Sequence, residues 1–355
     1  MSQELPKTMR AVVLDTHHED LREAIRSLHV AQREVPQPAK DQVLVRMAAA
    51  PCNPSDLVFL QGNYGRLKSL PSVPGWEGAG TVVAAGGGMY AHWLENRRVA
   101  VAIRGDRDGT WAEYALAEAG DCIPLASNVT SEQGATLIVN PLTALGLLET
   151  AQRAGSRAAI QTAAASQLGR MLIQVARDAS FPIVSLVRRG AQVDLLQSLG
   201  AEHVLNTSED NWRDRLRELA ARLGATSAFD AVGGHMTGEL LSAMPERSTV
   251  YVYGALSEEA CSDIDPLDLI FRRKQVQGFF LSDWLTARNR LRVLWTARRA
   301  QRLIGQGQIG THIRRRLGLD EVVEGLLGYV DEMTAGKMLI VPHGQQKPVA
   351  ERSDR

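Results

Sequence analysis

The pattern of hydrophobic and polar positions divides the chain into three stretches. Up to about residue 130, short β-branched runs are separated by Gly, Pro and Asp, which is typical of a β-rich region. From about 131 to 280, apolar runs of strand length alternate with segments whose apolar residues recur every three or four positions. This alternation predicts βαβ units around a parallel sheet. After 281 the pattern predicts helices and a last strand over 338–341, which we expect to return to the first stretch.

The middle stretch contains six predicted strands with helices between them. The strands are predicted over 158–160, 182–187, 203–205, 228–232, 249–253 and 276–280, and the helices over 167–179, 191–199, 212–223 and 238–244. This arrangement predicts an α/β fold with a doubly wound parallel sheet of the Rossmann type. A basic helix over 283–304 and a further helix over 320–329 are predicted to follow.

Composition and charge restrict the class of protein. The chain has 355 residues, 45% of them hydrophobic, which is enough for two domains with buried cores. Its 40 basic and 40 acidic residues offer no general attraction to nucleic acid, and no apolar run approaches the ~20 residues of a membrane helix. The three separate cysteines form neither a disulfide framework nor a four-cysteine zinc site. Since residues 1–6 lack a signal or transit pattern, we expect a cytoplasmic protein.

The first predicted strand–helix turn of the middle stretch has the position of a nucleotide-binding turn. Residues 161–169 are mostly small, so the backbone can approach a pyrophosphate at a helix N-terminus. Ala163 and Ser166 stand where the dinucleotide fingerprint prefers glycine, while Gly169 is kept for close helix packing. We therefore predict cofactor contacts from Ala165, Ser166, Gln167 and Leu168. An ordinary strand–helix junction is the alternative.

Two arginines after the second predicted strand indicate which dinucleotide is bound. Arg188 and Arg189 stand where an NAD-binding protein usually has an acidic residue for the ribose 2′-hydroxyl. Guanidinium groups suit a 2′-phosphate because they form charge-assisted, bidentate hydrogen bonds. The sequence therefore predicts NADPH rather than NADH. Solvated surface charges are the alternative interpretation.

Four segments of the chain resemble the medium-chain dehydrogenase/reductase superfamily. They are Cys-Asn-Pro-Ser-Asp at 52–56, Pro-Gly-Trp-Glu-Gly-Ala-Gly at 74–80, Gly-Thr-Trp-Ala-Glu-Tyr at 109–114 and Asn-Pro-Leu-Thr-Ala at 140–144. The resemblance spans about residues 9–342. It implies a GroES-like catalytic domain from residues 1–130 and 281–355, a Rossmann nucleotide-binding domain over 131–280, and an active site in the cleft. It also implies a homodimer.

The residues at the metal positions of that superfamily indicate its zinc-free branch. In an alignment on Asp56, Asn53, Pro54 and Trp76 replace the Cys, His and His ligands of catalytic zinc. Neither Pro nor Trp can donate to zinc. Cys52 lies one position away and is interpreted as a packing residue. We therefore expect no metal ion, and no alcohol oxidation through a Lewis acid.

Within that branch the chain is most similar to trans-2-enoyl thioester reductases. The similarity lies in residues 53–56, 61–65, 139–144, 198–204 and 278–284. It implies that Tyr64, in Gln-Gly-Asn-Tyr-Gly, is the catalytic acid. Chemistry supports this role, because a phenol with a pKa of about 10 stays protonated near pH 7 and can donate to an enolate carbon. A tyrosine packed on the surface of a turn is the alternative.

The resemblance also implies further positions at the cofactor and the substrate. Thr143 is expected to bind the carboxamide or position the substrate, unless it only starts a helix. Trp284 is expected at the substrate, unless it belongs to the core. Lys337 is expected at the cofactor, unless it is a solvated loop charge. The other predicted cofactor contacts are Asn53, Asn140, Tyr253, Gly254, Ala255, Phe279, Phe280 and Leu281.

The predicted helix over 283–304 is rich in arginine. Its arginines are Arg288, Arg290, Arg292, Arg298, Arg299 and Arg302. Such a face could receive the phosphates of coenzyme A or the acidic surface of an acyl carrier protein. A solvated helix face is the alternative.

Together these patterns predict an NADPH-dependent, zinc-independent reductase of the C=C bond in an α,β-unsaturated carbonyl. The preferred substrate is a trans-2-enoyl thioester of coenzyme A or acyl carrier protein. A quinone oxidoreductase or 2-alkenal reductase on the same scaffold is the first alternative. A cofactor-binding structural protein without catalysis is the second. We expect no nucleic acid or membrane partner.

Overall fold

The structure is a computed structural model that describes residues 5–344. The described residues form two compact units. The first unit contains the chain up to Ile138 together with the chain from Gly310, and the second is Val139–Ile309. The first four residues, used above in the prediction of location, lie outside the described range.

The first unit begins with a β-rich segment, as predicted. Its elements are β1 (Thr8–Val13), α1 (Leu21–Arg26), β2 (His29–Glu34), β3 (Gln42–Pro51), α2 (Pro54–Leu60), β4 (Glu77–Ala85), α3 (Met89–Leu94), β5 (Arg98–Ala102), β6 (Tyr114–Glu118), β7 (Cys122–Pro124) and α4 (Ser131–Ala135). The start of α2 shows how local sequence sets a boundary. Asn53 is extended, Pro54 takes the first helical position, and the Asp56 carboxylate accepts the Asn53 backbone N–H.

The second unit alternates strands and helices. Its elements are α5 (Val139–Arg153), β8 (Ala158–Gln161), α6 (Gln167–Asp178), β9 (Ile183–Val187), α7 (Gly190–Ser198), β10 (His203–Asn206), α8 (Trp212–Leu223), β11 (Ala225–Asp230), α9 (His235–Ala243), β12 (Thr249–Val252), α10 (Pro266–Ile270), β13 (Gln275–Gly278), α11 (Leu281–Thr286) and α12 (Arg290–Gly305). The sheet is parallel throughout, in the order β10-β9-β8-β11-β12-β13. This is the doubly wound order of the Rossmann fold, so the predicted fold class is confirmed.

The single basic helix predicted over 283–304 is wrong, because two helices occupy this segment. The break falls at residues 287–289. Asn289 caps α12 by accepting the backbone N–H of Arg292 at 2.9 Å. Asparagine is favoured at such a cap and disfavoured inside a helix, which explains the break. Both α11 and α12 pack on α5, so residues 281–309 belong to the second unit, whereas the predicted division placed them with the chain ends.

The chain then returns to the first unit. It forms β14 (Ile313–Leu317), α13 (Val322–Asp331) and β15 (Lys337–Ile340). β15 pairs with β3 in the antiparallel direction, with Ile340 opposite Ala50, which confirms the predicted return. The resulting sheet has the order β14-β15-β3-β4-β5-β7, with β6 also paired to β3, while β1 and β2 form a separate antiparallel pair.

Each unit has its own hydrophobic core. In the first unit Trp111 and Phe59 are fully buried in one cluster, which also contains Cys52 as expected for a packing residue. In the second unit Ile160, Val184 and Val250 from three strands lie in another cluster. Among residues 5–344, none of the helices combines the length and apolar character needed to cross a membrane.

Candidate active site

Asn53 and Lys337, both predicted to bind the cofactor, lie together in the interior of the first unit. The Lys337 ammonium donates to the side-chain carbonyl of Asn53 and to the backbone carbonyl of Cys52, the latter at 3.1 Å. The Asn53 amide donates to Glu77 Oε1 at 3.0 Å. Burial lowers the pKa of Lys337, and Glu77 opposes this effect. Lys337 is therefore a buried cation within a hydrogen-bond network, and its interpretation as a solvated loop charge is wrong.

Asp56 is a second member of this buried network. Its carboxylate accepts the backbone N–H groups of Asn53 at 2.7 Å and Trp76 at 3.1 Å. Burial raises the pKa of Asp56 to about 7, against the hydrogen bond from Asn53 and the charge of Lys337. Because both donors are main-chain groups, Asp56 holds the start of α2 next to the segment that leads into β4.

Tyr64, the predicted catalytic acid, lies in the loop after α2. Its half-buried ring packs against Trp76, with 5.0 Å between ring centroids. Burial and the negative charge of Asp56 raise the pKa of Tyr64 to about 12. The turn before it requires glycine, since Gly62 has φ 76° and a Cβ there would lie 3.0 Å from the Cβ of His17. The structure thus places a firmly protonated phenol in an aromatic environment.

Lys68, which no sequence pattern indicated, lies over Trp76. Its ammonium is 4.5 Å from the centroid of the Trp76 ring, within cation–π range, and donates to the backbone carbonyl of Val73 at 3.2 Å. Burial lowers the pKa of Lys68 to about 8, against the charges of Asp56, Asp108 and Asp106. Lysine is almost never buried, so the local sequence contained no signal for this position.

The predicted cofactor residues of the second unit follow the carboxyl ends of parallel strands. Ala165–Leu168 follow β8, Arg188 and Arg189 follow β9, Tyr253, Gly254 and Ala255 follow β12, and Phe279, Phe280 and Leu281 follow β13. The carboxyl ends of parallel strands meet at one edge of the sheet, where doubly wound folds bind nucleotides. The structure therefore brings these four groups to the same edge.

The turn after β8 leads from strand to helix through mostly small residues, with Gly169 as its one glycine. Ala163 has φ 48°, the left-handed region that usually favours glycine. The Ser166 hydroxyl caps α6 by accepting the backbone N–H of Gly169 at 3.1 Å. A Cβ on Gly169 would lie 2.5 Å from the carbonyl oxygen of Ala164, so glycine is needed for this close approach. The first-turn N–H groups of α6 suit a phosphate, as at other helix N-termini.

Asp230, at the end of β11, supports this turn and was not singled out from the sequence. Its buried carboxylate accepts the hydroxyls of Thr162 at 2.9 Å and Thr237 at 2.7 Å. Thr162 Oγ1 in turn accepts the backbone N–H of Ala231 at 2.8 Å. An acidic residue inside the apolar run 228–232 is the signal that could have revealed it.

The surroundings of Arg188 and Arg189 fit a phosphate. Both residues are exposed, and neither forms an ion pair with another residue of the 5–344 range. The Arg188 backbone N–H donates to Gln192 Oε1 at 3.1 Å, which anchors the main chain without engaging the guanidinium. Two guanidiniums without a carboxylate from the described protein match the charge of a 2′-phosphate.

Tyr253 offers a further polar group for a ligand. Its hydroxyl is buried without a hydrogen-bond partner among the described residues. Burial raises the pKa of Tyr253 well above the usual value, with Asp230 adding to the effect. Because buried hydroxyls nearly always have a partner, this group has an unused capacity for a polar ligand.

The remaining predicted residues lie on or against α5. Asn140 and Thr143 are buried near its start. Phe279 and Trp284 pack against Gly146, where an added Cβ would lie 2.9 and 3.1 Å from their rings. Trp284 is also covered by the guanidinium of Arg288, 3.6 Å above its ring centroid. These contacts are compatible with a core role for Trp284, and its contact with substrate stays a prediction.

The buried network of the first unit does not combine with further ligands into a metal-binding cluster in the part of the chain that the structure describes. Within residues 5–344 no cluster of three or more His, Cys, Asp or Glu side chains could hold a metal ion. Asn53 and Trp76 stand where zinc-dependent members of the superfamily have zinc ligands. Here Asn53 is hydrogen-bonded to Glu77, and Trp76 packs on Tyr64. The second unit, in contrast, fits a dinucleotide through its turn, its arginines and the Tyr253 hydroxyl.

The chain matches two family models and several known proteins. The alcohol dehydrogenase GroES-like domain matches residues 39–127, and the zinc-binding dehydrogenase model matches 168–296. The mitochondrial enoyl-[acyl-carrier-protein] reductase of Homo sapiens is 32% identical over 289 residues, 79% of this chain and 74% of that protein. The Xenopus tropicalis protein of the same name is 31% identical over 283 residues, 78% of each chain.

Solved structures show the same resemblance. A protein from Mesorhizobium loti, assigned as an NADPH:quinone reductase, has a TM-score of 0.87 and 35% identity, covering 96% of this chain and 100% of that chain. A mutant form of enoyl thioester reductase from Candida tropicalis has a TM-score of 0.77 and 22% identity, covering 94% and 99%. At that identity the second likeness concerns the fold alone.

Proposed function

The chain belongs to the medium-chain dehydrogenase/reductase superfamily, in the zinc-free branch of enoyl reductases and quinone oxidoreductases, and from this premise we propose that it reduces a trans-2-enoyl thioester with NADPH. The observation that carries the proposal is the environment of Tyr64. This tyrosine packs on Trp76, and the pKa of its phenol is raised to about 12 by burial and Asp56. Such a group keeps its proton until a strongly basic carbon forms beside it.

NADPH would be held by the second unit. The N-terminal turn of α6 suits the pyrophosphate, Arg188 and Arg189 suit the 2′-phosphate, and Tyr253 has a hydroxyl available for a polar group. When bound, the cofactor supplies a hydride for the β-carbon of the substrate.

The residues of the first unit would handle the proton. Tyr64 donates its phenolic proton to the α-carbon, so the C=C bond becomes a C–C bond with one hydride and one proton added. Trp76 covers part of the Tyr64 ring and packs in turn on the buried Phe59, with 5.4 Å between the centroids of Trp76 and Phe59. The Lys68 ammonium lies over the Trp76 ring, and the Asp56 carboxylate accepts the backbone N–H of Trp76. These two contacts hold the indole in place.

A quinone or 2-alkenal reductase is the second candidate. It is favoured by the likeness to the Mesorhizobium loti protein, which covers 96% of this chain at 35% identity. Quinone reduction transfers a hydride without needing a proton at carbon, so it depends much less on Tyr64. A structural protein without catalysis is the remaining alternative, and it predicts no turnover of any substrate.

Steady-state kinetics with a substrate panel test the proposal. We would measure kcat/KM for crotonyl-CoA, a short quinone and a 2-alkenal, each with NADPH and with NADH. The proposal expects the thioester with NADPH to give the highest value. A higher value for the quinone, together with an unchanged rate in Tyr64→Phe, would overturn it in favour of the second candidate. A preference for NADH would overturn the assignment of Arg188 and Arg189.

A homodimer is part of the proposal. β13 lies at the open end of the six-stranded sheet, and Ile270 and Phe271 are exposed just before it. An open edge strand presents unpaired N–H and C=O groups, so a second copy could pair there. Analytical ultracentrifugation would show a dimer, and a monomer at micromolar concentration would exclude this arrangement. A cytoplasmic location stays a prediction, since the curated relatives described above are named as mitochondrial proteins.

A further inference from the structure

One face of α12 carries apolar and basic side chains in a single exposed stripe. Leu291, Leu294 and Trp295 are 69%, 36% and 73% exposed. Arg298 and Arg302 continue the same stripe at intervals of three to four residues, and both are exposed. We call these five residues the α12 stripe. Large apolar side chains exposed next to arginines are unusual on a soluble protein surface and mark interaction sites.

Another face of α12 packs against the rest of the second unit. Ala297, Ala300 and Leu303 are buried, and α12 packs on α5. The helix therefore has an inward apolar face that accounts for its packing. The apolar part of the α12 stripe is additional to that face, so packing within the unit does not explain it.

The charge around the stripe is positive. Arg299 and Arg302 share one carboxylate, Asp178, at 2.8 and 3.3 Å. Arg292 lies 3.8 Å from Glu149, which already pairs with Arg153 at 2.7 Å. Arg298 forms no ion pair with any residue of the described range. Arginines thus outnumber carboxylates here, and Arg298 has its charge available for a partner.

We propose that the α12 stripe is the docking surface for the protein carrier that presents the enoyl chain. This inference rests on the proposed function, since it names the partner for that reaction. The fitting partner bears carboxylates beside an apolar patch, so that the carboxylates meet Arg298 and Arg302 while the patch covers Trp295 and its leucines. Trp and Arg are the residues most often found at the energetic centre of protein interfaces. Complementary charge would also speed the encounter.

Kinetics with one acyl group on two carriers test this docking surface. The variants Trp295→Ala and Arg298→Glu would be assayed with crotonyl-CoA and with the crotonyl thioester of a bacterial acyl carrier protein. We expect KM for the protein-linked substrate to rise at least about tenfold in each variant, with kcat unchanged. The KM for crotonyl-CoA should stay within about twofold of wild type, because that substrate has no protein surface to dock.

Matched variants control for charge and for exposed tryptophan. Arg222→Glu reverses an exposed arginine on α8, a helix that packs against other elements than α5, and should leave both KM values unchanged. Trp93→Ala removes an exposed indole from the first unit and should do the same. Raising the salt concentration should weaken binding of the carrier protein to wild type more than to Arg298→Glu.

Each outcome supports or contradicts a particular statement. If KM for both thioesters changes equally, or for neither, the docking surface is wrong while the proposed function stands. If wild type reduces neither thioester, the proposed function itself fails. If Trp295→Ala changes the oligomeric state in ultracentrifugation, the stripe binds a second copy of the chain, and the carrier inference is overturned.

Discussion

Tyr64 is half-buried and packs on Trp76 beside the buried Lys68 and Asp56, whereas the turn after β8 in the second unit consists mostly of small residues. In the first region the chemistry depends on burial, which raises the pKa of Tyr64 and lowers that of Lys68. In the second region it depends on backbone conformation, with Ala163 at φ 48° and Gly169 closely packed on Ala164. The exposed Arg188 and Arg189 complete that region.

This difference has a practical consequence for the kinds of substitution that matter. Near Tyr64, removing one polar atom or one charge should change rate or pH dependence, because each group there is buried among a few specific partners. Near the turn, adding a single carbon should disturb cofactor binding, because the proposed phosphate site consists of backbone N–H groups.

Tyr64→Phe removes the phenolic proton and retains the ring that packs on Trp76. We expect kcat for crotonyl-CoA to fall about ten- to a thousandfold, the usual range for a lost general acid, while KM for NADPH stays unchanged. Tyr90→Phe, in the short helix α3, should behave like wild type. An unchanged single-turnover rate in Tyr64→Phe would remove this tyrosine from the mechanism and weaken the contrast between the two regions.

Lys68→Met tests the buried charge through the pH dependence of stability. The pKa of Lys68 is lowered by burial from 10.5 to about 8, so between these values the unfolded chain binds the proton more tightly than the folded protein. The stability of wild type should therefore rise with pH across this window, by up to about 3 kcal/mol, relative to Lys68→Met. Urea unfolding at pH 7.5 and 10 measures the difference.

The control for this prediction is Lys40→Met, which changes an exposed lysine of the first unit. Its free energy of unfolding should follow that of wild type at both pH values. If the free energy of unfolding of Lys68→Met also shows the same pH dependence as that of wild type, the Lys68 ammonium is solvated. The region around Tyr64 then admits more water than its packing indicates.

Gly169→Ala tests the backbone site of the second unit. Its added Cβ would meet the Ala164 backbone at 2.5 Å, so the turn or α6 must shift. We expect a loss of about 1–3 kcal/mol in the free energy of unfolding and a higher KM for NADPH. Gly190→Ala at the start of α7 is the matched control, because a Cβ there meets no atom within 4 Å. Equal changes in the free energy of unfolding and in KM for NADPH in both variants would show that the close approach of Gly169 to the Ala164 backbone is not needed.

Arg188→Ala combined with Arg189→Ala tests the cofactor phosphate. Losing charge-assisted hydrogen bonds should raise KM for NADPH about tenfold and leave KM for NADH within about twofold. Arg222→Ala, another exposed arginine of the second unit, should change neither value. A similar rise for both cofactors would show that these arginines act on a group that NADPH and NADH share.

Features of this protein that depend on local pattern could be predicted from its amino-acid sequence. The alternation of apolar runs and amphipathic segments located all six strands of the second unit, because strand and helix periodicity show which faces are buried. The small residues at 161–169 located the turn, and the resemblance of residues 61–65 to enoyl thioester reductases suggested Tyr64 as the candidate acid. The superfamily segments led to the family that the comparisons then showed.

Contacts between distant residues, and the burial of charged groups, required the three-dimensional arrangement. Lys337 contacts Asn53 across 284 positions of the chain, a pairing that no local pattern encodes. Lys68 and Asp56 acquire their shifted pKa values from burial, and burial of a charged side chain depends on the surrounding elements rather than on its neighbours in sequence. The break between α11 and α12 likewise follows from a cap at Asn289 that the helical periodicity concealed.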